Sequence, residues 1–295
     1  MALQKPSHVN LLGRLPPGFL VDAGWLQAQG LSRSRIHHYV TRGWLERLAP
    51  RVYRRSTSPP PSDDHSAPPA TAQVRWDVAV VSAQRLVDRP FHVGGATALD
   101  LLGLSHFLDL GRKARIWLYD PARTAPAWLT KLPLDVELIL SRRKLFLDDE
   151  LGLEWRRLDL GTGRVGSAAD EPAAVEAWDH FVRMAGAERA AIEMMEEVGA
   201  SVGFHSADKV FEGLSNLRPA LLTRLLQQCR SVKAKRLFLF YADRHRHAWG
   251  QRLDTASIDL GRGKRQIAKG ARLHSKYQIT VPAELMEGDG DRNGG

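Results

Sequence analysis

The chain has 295 residues, of which 43% are hydrophobic, so it is long enough for two or three domains with a buried core. One cysteine cannot form an intrachain disulfide, no apolar run approaches the ~20 residues of a membrane span, and the start, MALQKPSHVN, lacks a signal-peptide core, so we expect a cytoplasmic protein. The formal net charge of +9 favours a polyanionic partner such as nucleic acid.

Residues 19–55 predict two helices separated by a sharp turn. Gly30 interrupts the first helical pattern, because glycine tolerates the positive φ that such a turn needs. Ser32 is a good N-cap for a second helix from about Arg33 to Arg42. The apolar side chains at helical spacing are Leu20, Ala23, Trp25 and Leu26 in the first helix, and Ile36, Tyr39 and Val40 in the second.

Gly43 ends the second helix, and two strand-like runs follow at 44–47 and 51–54, with a turn at 48–50. This order of elements is typical of a winged helix-turn-helix, whose second helix enters the major groove of DNA. We expect this helix to contact bases and phosphates near its N-terminal end, and the wing to hold the flanking backbone. The predicted DNA-binding residues are Ser32, Arg33, Ser34, Arg35, His37, His38 and Arg42 on the helix, and Arg51 and Arg54 on the wing.

The distribution of charge supports this interpretation. Residues 1–55 contain nine Lys/Arg and two acids, a local net charge of +7, although basic residues can also simply solvate an exposed face. Residues 56–72 are rich in Pro and Ser and cannot bury enough apolar surface to order themselves. We therefore predict a DNA-binding domain at 1–55, a linker at 56–72, a body at 73–282 and a disordered tail at 283–295.

The body reads as a mixture of helices and strands. Short apolar runs at 114–119 and 136–140 predict strands, and residues 257–258, 266–267 and 277–280 predict closing strands. The run Val78–Val81 predicts a helix or a buried strand, and a helix is predicted after Gly94–Gly95. Residues 171–200 predict a helical stretch, and 206–229 predict one helix or a pair with an interruption near Pro219, whereas 235–241 fits a strand or a helix equally well. The predicted fold class is α+β, with an N-terminal winged helix-turn-helix and a larger mixed α/β C-terminal domain.

A second basic block lies near the C-terminus. Residues 228–278 contain 13 Lys/Arg and three Asp/Glu, a local net charge of +10. This block predicts a second phosphate-binding surface, an exposed basic face of a sheet, or an intramolecular partner for the acidic middle of the chain. The residues expected to form this second surface are Lys233, Arg236, Lys264, Arg265 and Lys269.

Three separated stretches resemble the AbiEi antitoxin family of bacterial transcriptional regulators. The first stretch runs from Gly30-Leu31-Ser32 through Ile36, Tyr39-Val40 and Gly43-Trp44-Leu45. The second is His92-Val93-Gly94-Gly95 with Leu99 and Leu101-Leu102-Gly103, and the third combines Leu260-Gly261, Gly263-Lys264-Arg265-Gln266-Ile267 and Tyr277–Pro282. The resemblance therefore spans roughly residues 10–282.

The resemblance implies a repressor that binds operator DNA and controls its own operon. It also implies an antitoxin of a type IV, abortive-infection system, which counters a nucleotidyltransferase-like toxin without forming a stable complex with it. Self-association on repeated operator sites is a further expectation. The resemblance implies no catalysis by the antitoxin, and we expect no cofactor and no metal.

Two other functions are compatible with some of the residues. A DNA-targeted nuclease could use Asp135 and Glu137, but no acid–x–Lys follows them to hold Mg²⁺ and activate water. An RNA- or tRNA-binding adaptor could stack bases on aromatic side chains within the basic block, although core packing explains these aromatics equally well. The aromatics in question are Phe238, Phe240, Tyr241, Trp249 and Tyr277.

Three smaller motifs favour structural explanations. Gly261–Lys264 lacks the spacing and the hydroxyl residue of a phosphate loop. His245 and His247 would share one face of a strand, but the adjacent arginines would repel a metal cation. His92, before the Gly94–Gly95 turn, is expected to close a hydrogen bond at a helix start rather than to act in catalysis.

Overall fold

The structure, a computed structural model, describes residues 15–56, 74–85, 87–105, 113–159, 162–169, 180–268 and 270–286. It is a mixture of helices and sheets, so the predicted α+β class is confirmed. Almost all of the predicted linker, most of the predicted tail and Lys269 lie outside the described residues. Within the described ranges, no helix is long and apolar enough to cross a membrane.

Residues 15–56, here called the head, contain the predicted succession of helix, turn, helix and hairpin. They form a three-stranded antiparallel sheet in the order β1-β3-β2, with two helices between the first and second strands. The elements are β1 (Leu20–Asp22), α1 (Ala23–Ala28), α2 (Arg33–Thr41), β2 (Leu45–Ala49) and β3 (Val52–Arg55).

Local sequence explains both helices of the head. Asp22 caps α1 by accepting a hydrogen bond from the Trp25 N–H at 2.8 Å, and the Ser32 hydroxyl caps α2 by accepting from the Arg35 N–H. Gly30 has a φ of +92° in the turn between them, as predicted. The N-cap at Ser32 is therefore confirmed.

Two details of the head differ from the predictions. Leu20 lies in β1 rather than in the first helix, because its backbone pairs with β3 and its apolar side chain is fully buried on the sheet. The hairpin turns at Pro50–Arg51, later than predicted, because β2 continues to Ala49 and Arg51 adopts a φ of +65°.

Residues 74–286, here called the body, are built on a six-stranded mixed sheet. Its strand order is β6-β5-β4-β9-β7-β8, in which β5 pairs with β6 and β4 with β9 in parallel, and the other pairs are antiparallel. The strands are β4 (His92–Val93), β5 (Arg115–Tyr119), β6 (Glu137–Ser141), β7 (Leu153–Asp159), β8 (Arg164–Ala169) and β9 (Phe181–Ala185).

Helices cover this sheet and carry much of the core. They are α3 (Trp76–Arg85), α4 (Gly95–Leu101), α5 (Ala187–Glu197), α6 (Phe204–Gly213), α7 (Pro219–Gln228) and α8 (Val232–His245). A small hairpin, β10 (Arg272–His274) and β11 (Ile279–Val281), contacts α8. Short 3-10 turns occupy Leu129–Lys131, Gly250–Arg252, Thr255–Ser257 and Ala283–Leu285.

Several predictions for the body need correction. The ambiguous run 235–241 is helical and lies within α8, whose Ser231 hydroxyl caps the first turn. Residues 257–258 and 266–267 do not form strands, because they lie in a 3-10 turn and a loop. The predicted tail begins too early at 283, since Leu285 is buried in a 3-10 turn.

The head packs directly on the body. The Leu20 N–H of β1 donates to the buried Ser82 hydroxyl of α3 at 3.0 Å. The Trp128 indole N–H donates to the Asp22 carboxylate at 3.3 Å, and the Phe19 and His180 rings lie 5.1 Å apart. The head is therefore docked on the body by buried contacts and is not merely joined to it by the predicted linker.

Candidate nucleic-acid interface

Helix α2 presents a polar, basic face to solvent. Ile36 and Tyr39 face the head core and Val40 packs against it, so the other positions of the helix point outward. All seven predicted helix-face residues are exposed, namely Ser32, Arg33, Ser34, Arg35, His37, His38 and Arg42. The structure thus brings these residues together on one accessible surface.

This exposed face has two flanks. Successive residues of a helix are rotated by about 100°, so Arg33 and His37 lie on one side of it, whereas Arg35 and Arg42 lie on the other. Ser34 lies between the two flanks, where its hydroxyl is 2.9 Å from that of Ser32. The two basic flanks therefore frame a central polar strip.

A groove of about 530 Å³ separates α2 from the wing. Arg33 and His37 of the helix line it on one side, and Arg47 and Arg51 of the hairpin line it on the other. All four side chains are exposed. Arg47 was not among the predicted site residues, although the strand run 44–47 already contained it.

The tip of the wing is attached to the first helix. Arg51 is exposed with a φ of +65°, and its backbone oxygen accepts a hydrogen bond from the Ala23 N–H at 2.8 Å. Because this bond joins the turn to the start of α1, the groove has a fixed wall. Arg51 thus lies in the turn of the β2–β3 hairpin, and its contact with DNA stays a prediction.

Arg54 differs from the other predicted wing residue. Its Nε and Nη2 groups donate to Glu46 Oε2 at 3.0 and 2.6 Å, and its side chain is only 14% exposed. Glu46 and Arg54 are directly opposed across β2 and β3, which explains the pair. Arg54 is thus engaged within the sheet, so we leave it out of the candidate interface.

The predicted second basic surface is only partly a surface. Arg236 is buried, and its guanidinium donates to backbone oxygens of the 260–263 loop. Lys233 is half-buried and donates to the Glu196 backbone oxygen, and burial lowers the pKa of its ammonium group. Lys264 and Arg265 are exposed as expected. The prediction is therefore wrong for Arg236, because an inward-facing position of α8 carries it into the core.

The aromatics proposed to stack RNA bases belong to the core. The Tyr241 hydroxyl donates to the Phe204 backbone oxygen at 2.8 Å, and the Trp249 indole N–H donates to that of Leu214 at 2.6 Å. None of the five can receive a base in this position, since all are buried, namely Phe238, Phe240, Tyr241, Trp249 and Tyr277.

The groups weighed for metal or nuclease chemistry are paired within the protein. His245 Nε2 lies 2.8 Å from Asp208 Oδ1, and His247 Nε2 lies 2.6 Å from the Phe211 backbone oxygen. Glu137 accepts from the Arg115 guanidinium at 3.3 Å. Among the described residues, no group of three His, Cys, Asp or Glu side chains is placed to hold a metal ion.

His92 belongs to a buried network at the start of α4. Its Nε2 lies 2.8 Å from Glu193 Oε1, which also accepts from Arg189 Nε at 2.8 Å, while Glu193 Oε2 accepts from the Gly95 N–H at 3.0 Å. Burial lowers the pKa of His92. Burial raises the pKa of Glu193, but His92 and Arg189 outweigh it and hold that pKa below its ordinary value. His92 thus contacts the group that caps the helix.

Comparison with solved structures identifies a shared fold. The crystal structure of the RV2827C protein from Mycobacterium tuberculosis matches 99% of this chain and 96% of its own chain, with a TM-score of 0.54 and 18% sequence identity. Likeness at this identity shows the fold alone. Comparison with curated proteins gives no match.

Comparison with protein families gives two adjacent matches. Residues 4–110 match the family described as the N-terminal domain of the AbiEi antitoxin transcriptional regulator. Residues 113–282 match the family described as transcriptional regulator, AbiEi antitoxin, type IV toxin–antitoxin system. The first match extends through α3 and α4, which include the surface on which the head is docked. The chain therefore belongs to the AbiEi antitoxin family of transcriptional regulators.

Proposed function

We propose that the head binds operator DNA with α2 in the major groove and the β2–β3 hairpin along the adjacent backbone. The basic groove between these two elements is the observation that carries the proposal. Its four cationic or titratable side chains, Arg33, His37, Arg47 and Arg51, come from both walls. Such a concentration of positive charge in a concave surface favours the phosphates of a duplex.

The two flanks of α2 suggest different roles within this interface. Arg33, on the wing side, is placed to contact backbone phosphates together with Arg51. Arg35 lies in the first turn of the helix, where winged and unwinged helix-turn-helix proteins place their base contacts. Ser34, His37 and His38 supply further donors at the same surface. Arg42, near the C-terminal end of α2, is placed for a more distant phosphate.

We further propose that the protein acts in the cytoplasm as repressor of its own operon and as antitoxin to a nucleotidyltransferase-like toxin. Family membership supports the coarser role of antitoxin and regulator. No direct contact with the toxin is proposed. We also propose that the protein has no catalytic activity on DNA, since the carboxylates considered for metal binding lie beside guanidinium groups. The negative charge of Asp135 raises the pKa of the Arg75 guanidinium. The Glu137 carboxylate accepts a hydrogen bond from the Arg115 guanidinium.

A salt titration with the full-length protein tests DNA binding. Binding to a duplex from the promoter of its own operon should weaken steeply with salt, with a log–log slope of about −0.9 for each phosphate neutralised. Arg33→Ala should reduce this slope by about one unit, because it removes one exposed cation from the groove. Arg54→Ala is the matched control and should leave the slope unchanged, because its charge is already paired with Glu46. A salt-independent affinity, or equal effects of the two substitutions, would contradict the interface.

Specificity is tested with Arg35→Ala in the same assay. A lost base contact should reduce the preference for operator over random duplex by about 1–3 kcal/mol. Arg51→Ala on the wing should weaken both complexes and leave the preference unchanged. A reporter gene behind the operon promoter should lose repression with Arg35→Ala. An unchanged preference for operator DNA would contradict the role of Arg35 in reading bases.

The absence of catalysis is tested by adding Mg²⁺ or Mn²⁺ to the binding buffer, which should leave both duplexes intact. Cleavage of either duplex would contradict this part of the proposal.

A further inference from the structure

A compact basic loop projects from the body, well apart from the head in sequence. Residues 260–265 read LGRGKR, and three of these six residues are cationic. Arg262, Lys264 and Arg265 are all exposed. The loop follows a 3-10 turn and precedes the β10–β11 hairpin, and it lies beside that hairpin because Arg265 forms a parallel bridge with Ile279.

A buried arginine holds this loop in shape. Arg236 reaches from α8 and donates through Nε to the Leu260 oxygen at 2.8 Å and through Nη2 to the Gly261 oxygen at 3.0 Å. Its Nη1 donates to the oxygens of Gly263 at 2.6 Å and Gln278 at 3.2 Å. One guanidinium therefore organises four carbonyl groups, which turns the carbonyls of the loop toward the protein interior.

The backbone of the loop has the glycines that this arrangement requires. Gly261 has a φ of +63°, and a Cβ atom there would lie 2.9 Å from Val232 Cγ2 of α8. Gly263 has a φ of +78°. The Gly261 N–H donates to Asp259 Oδ1 and the Arg265 N–H donates to the Gln278 oxygen, both at 2.8 Å. No hydrogen bond joins the N–H groups of residues 262–264 to an acceptor among the described residues, and all three residues are exposed. Unpaired backbone N–H groups in such a turn can serve as donors to an anion.

The three exposed cations form no ion pair with an acid of the described part of the chain. Arg265 Nη1 donates to the Lys264 backbone oxygen at 3.3 Å, and no carboxylate pairs with Arg262, Lys264 or Arg265 among the residues that the structure describes. Burial, and then the nearby charge of Arg265, lower the pKa of Arg236. Arg236 and Arg265 thus act on each other through their charges, and an anionic ligand would relieve this repulsion.

We propose that the Arg236-organised loop 260–265 is a second nucleic-acid contact that binds the phosphodiester backbone, separate from the groove of the head. Guanidinium groups match phosphate oxygens in a bidentate manner, ammonium groups add a point charge, and free backbone N–H groups add further donors. These contacts recognise the backbone without reading bases. Duplex DNA is the occupant that we expect, since the same chain carries the candidate DNA interface, and structured RNA is the other source of the same backbone chemistry.

The experiment uses the full-length protein and three probes of equal length, the operator duplex, a random duplex and an RNA hairpin. The variant Arg262→Ala/Lys264→Ala/Arg265→Ala removes the exposed charges and leaves Arg236 in place. The control Lys209→Ala/Arg224→Ala/Arg252→Ala removes three exposed basic residues elsewhere on the body. Fluorescence anisotropy at several salt concentrations gives the affinity and the salt slope for each probe, and a thermal melt confirms folding.

The loop variant should reduce the salt slope on duplex DNA by about two to three units, at about 0.9 per phosphate. Its preference for operator over random duplex should stay at the wild-type value, because the loop reads no bases. A loss confined to the RNA hairpin supports the loop as a backbone site and identifies RNA as its ligand. Wild-type slopes on all probes, or an equal loss in the control, would overturn the proposal. The result does not depend on the head, because Arg33→Ala and the loop variant are measured separately.

Discussion

At the scale of single residues, the arginines of this chain differ in the groups that their guanidinium groups contact. Arg33 and Arg51 face the solvent of a groove, where their charge is available to a partner. Arg54 faces Glu46 across a hairpin, and Arg236 faces four backbone carbonyls inside the body. An arginine of this chain can therefore stay available to a partner, pair two strands or shape a loop, according to its neighbours.

The buried His92 makes stability depend on pH in a defined window. Its pKa is lowered in the folded state, whereas a histidine in the unfolded chain titrates near 6.5. The unfolded state therefore takes up this proton first, so stability is fully present above pH ~6.5 and falls as the pH drops below it. The contribution reaches at most about 1.4 kcal/mol per pH unit for one proton.

We expect His92→Gln to flatten this dependence. Urea unfolding at pH 7.5, 6.5 and 5.5 measures the free energy of unfolding of each variant. His205→Gln, at an exposed position on α6, should keep the wild-type dependence. If His92→Gln loses stability with acid as steeply as the wild type, the histidine is not the group responsible.

At the scale of elements, the start of α4 depends on a close approach between three segments. Gly94 precedes the helix, and a Cβ atom there would overlap the Glu193 carboxylate and lie 2.6 Å from Tyr119 Cδ2. The Tyr119 ring stacks on His92 with ring centres 5.4 Å apart. The glycine thus allows β5 and α5 to meet around the helix N-terminus.

Gly94→Ala should therefore lower the free energy of unfolding by about 1–3 kcal/mol, as overpacked core substitutions do. Gly166→Ala is a matched control in β8, because a Cβ atom there would come no closer than 3.9 Å to the Arg157 oxygen. Its effect should stay within about 0.5 kcal/mol. Equal losses of unfolding free energy for both variants in urea unfolding would show that the close approach at Gly94 does not make this position less tolerant of a side chain.

At the scale of the whole molecule, the head and the body share buried contacts. Leu20 and Ser82 join β1 to α3, and Asp22, the N-cap of α1, also accepts a hydrogen bond from Trp128 of the body. The position of the helix-turn-helix is thus set by the body as well as by its own turn. This coupling explains why binding experiments need the full chain.

We expect the head and the body to unfold together. Ser82→Ala leaves the buried Leu20 N–H without its acceptor, which should cost about 1–3 kcal/mol. Calorimetry should show one transition that moves to lower temperature, whereas Ser206→Ala, at an exposed position on α6, should leave it in place. If calorimetry shows two transitions and Ser82→Ala shifts only one of them, the head folds independently of the body.

The sequence by itself determined much of the head. The N-cap at Ser32, the helical spacing of Ile36 and Tyr39, and the turn at Gly30 are local signals, so they predicted α2 and its exposed face within one residue. The family followed from short motifs in the right order, and the two family matches confirmed it. These features depend on residues a few positions apart, which a linear pattern records.

Only the tertiary structure decided which charges remain available and how the body is connected. The pairing of Arg54 with Glu46 and the burial of Arg236 against the 260–263 loop depend on partners brought together by the fold. The run 235–241 is buried on several sides of α8, so its apolar residues show no clear period. Strand β9 (Phe181–Ala185) lies within the stretch 171–200 that the sequence predicts as helical, so that prediction is wrong for these five residues. The strand forms there because it pairs with β7 and β4, which come from other parts of the chain. The number of charges and the local helical pattern can be read from the sequence. The ion pairs, hydrogen bonds and strand pairing of each residue depend on segments that only the folded chain brings into contact.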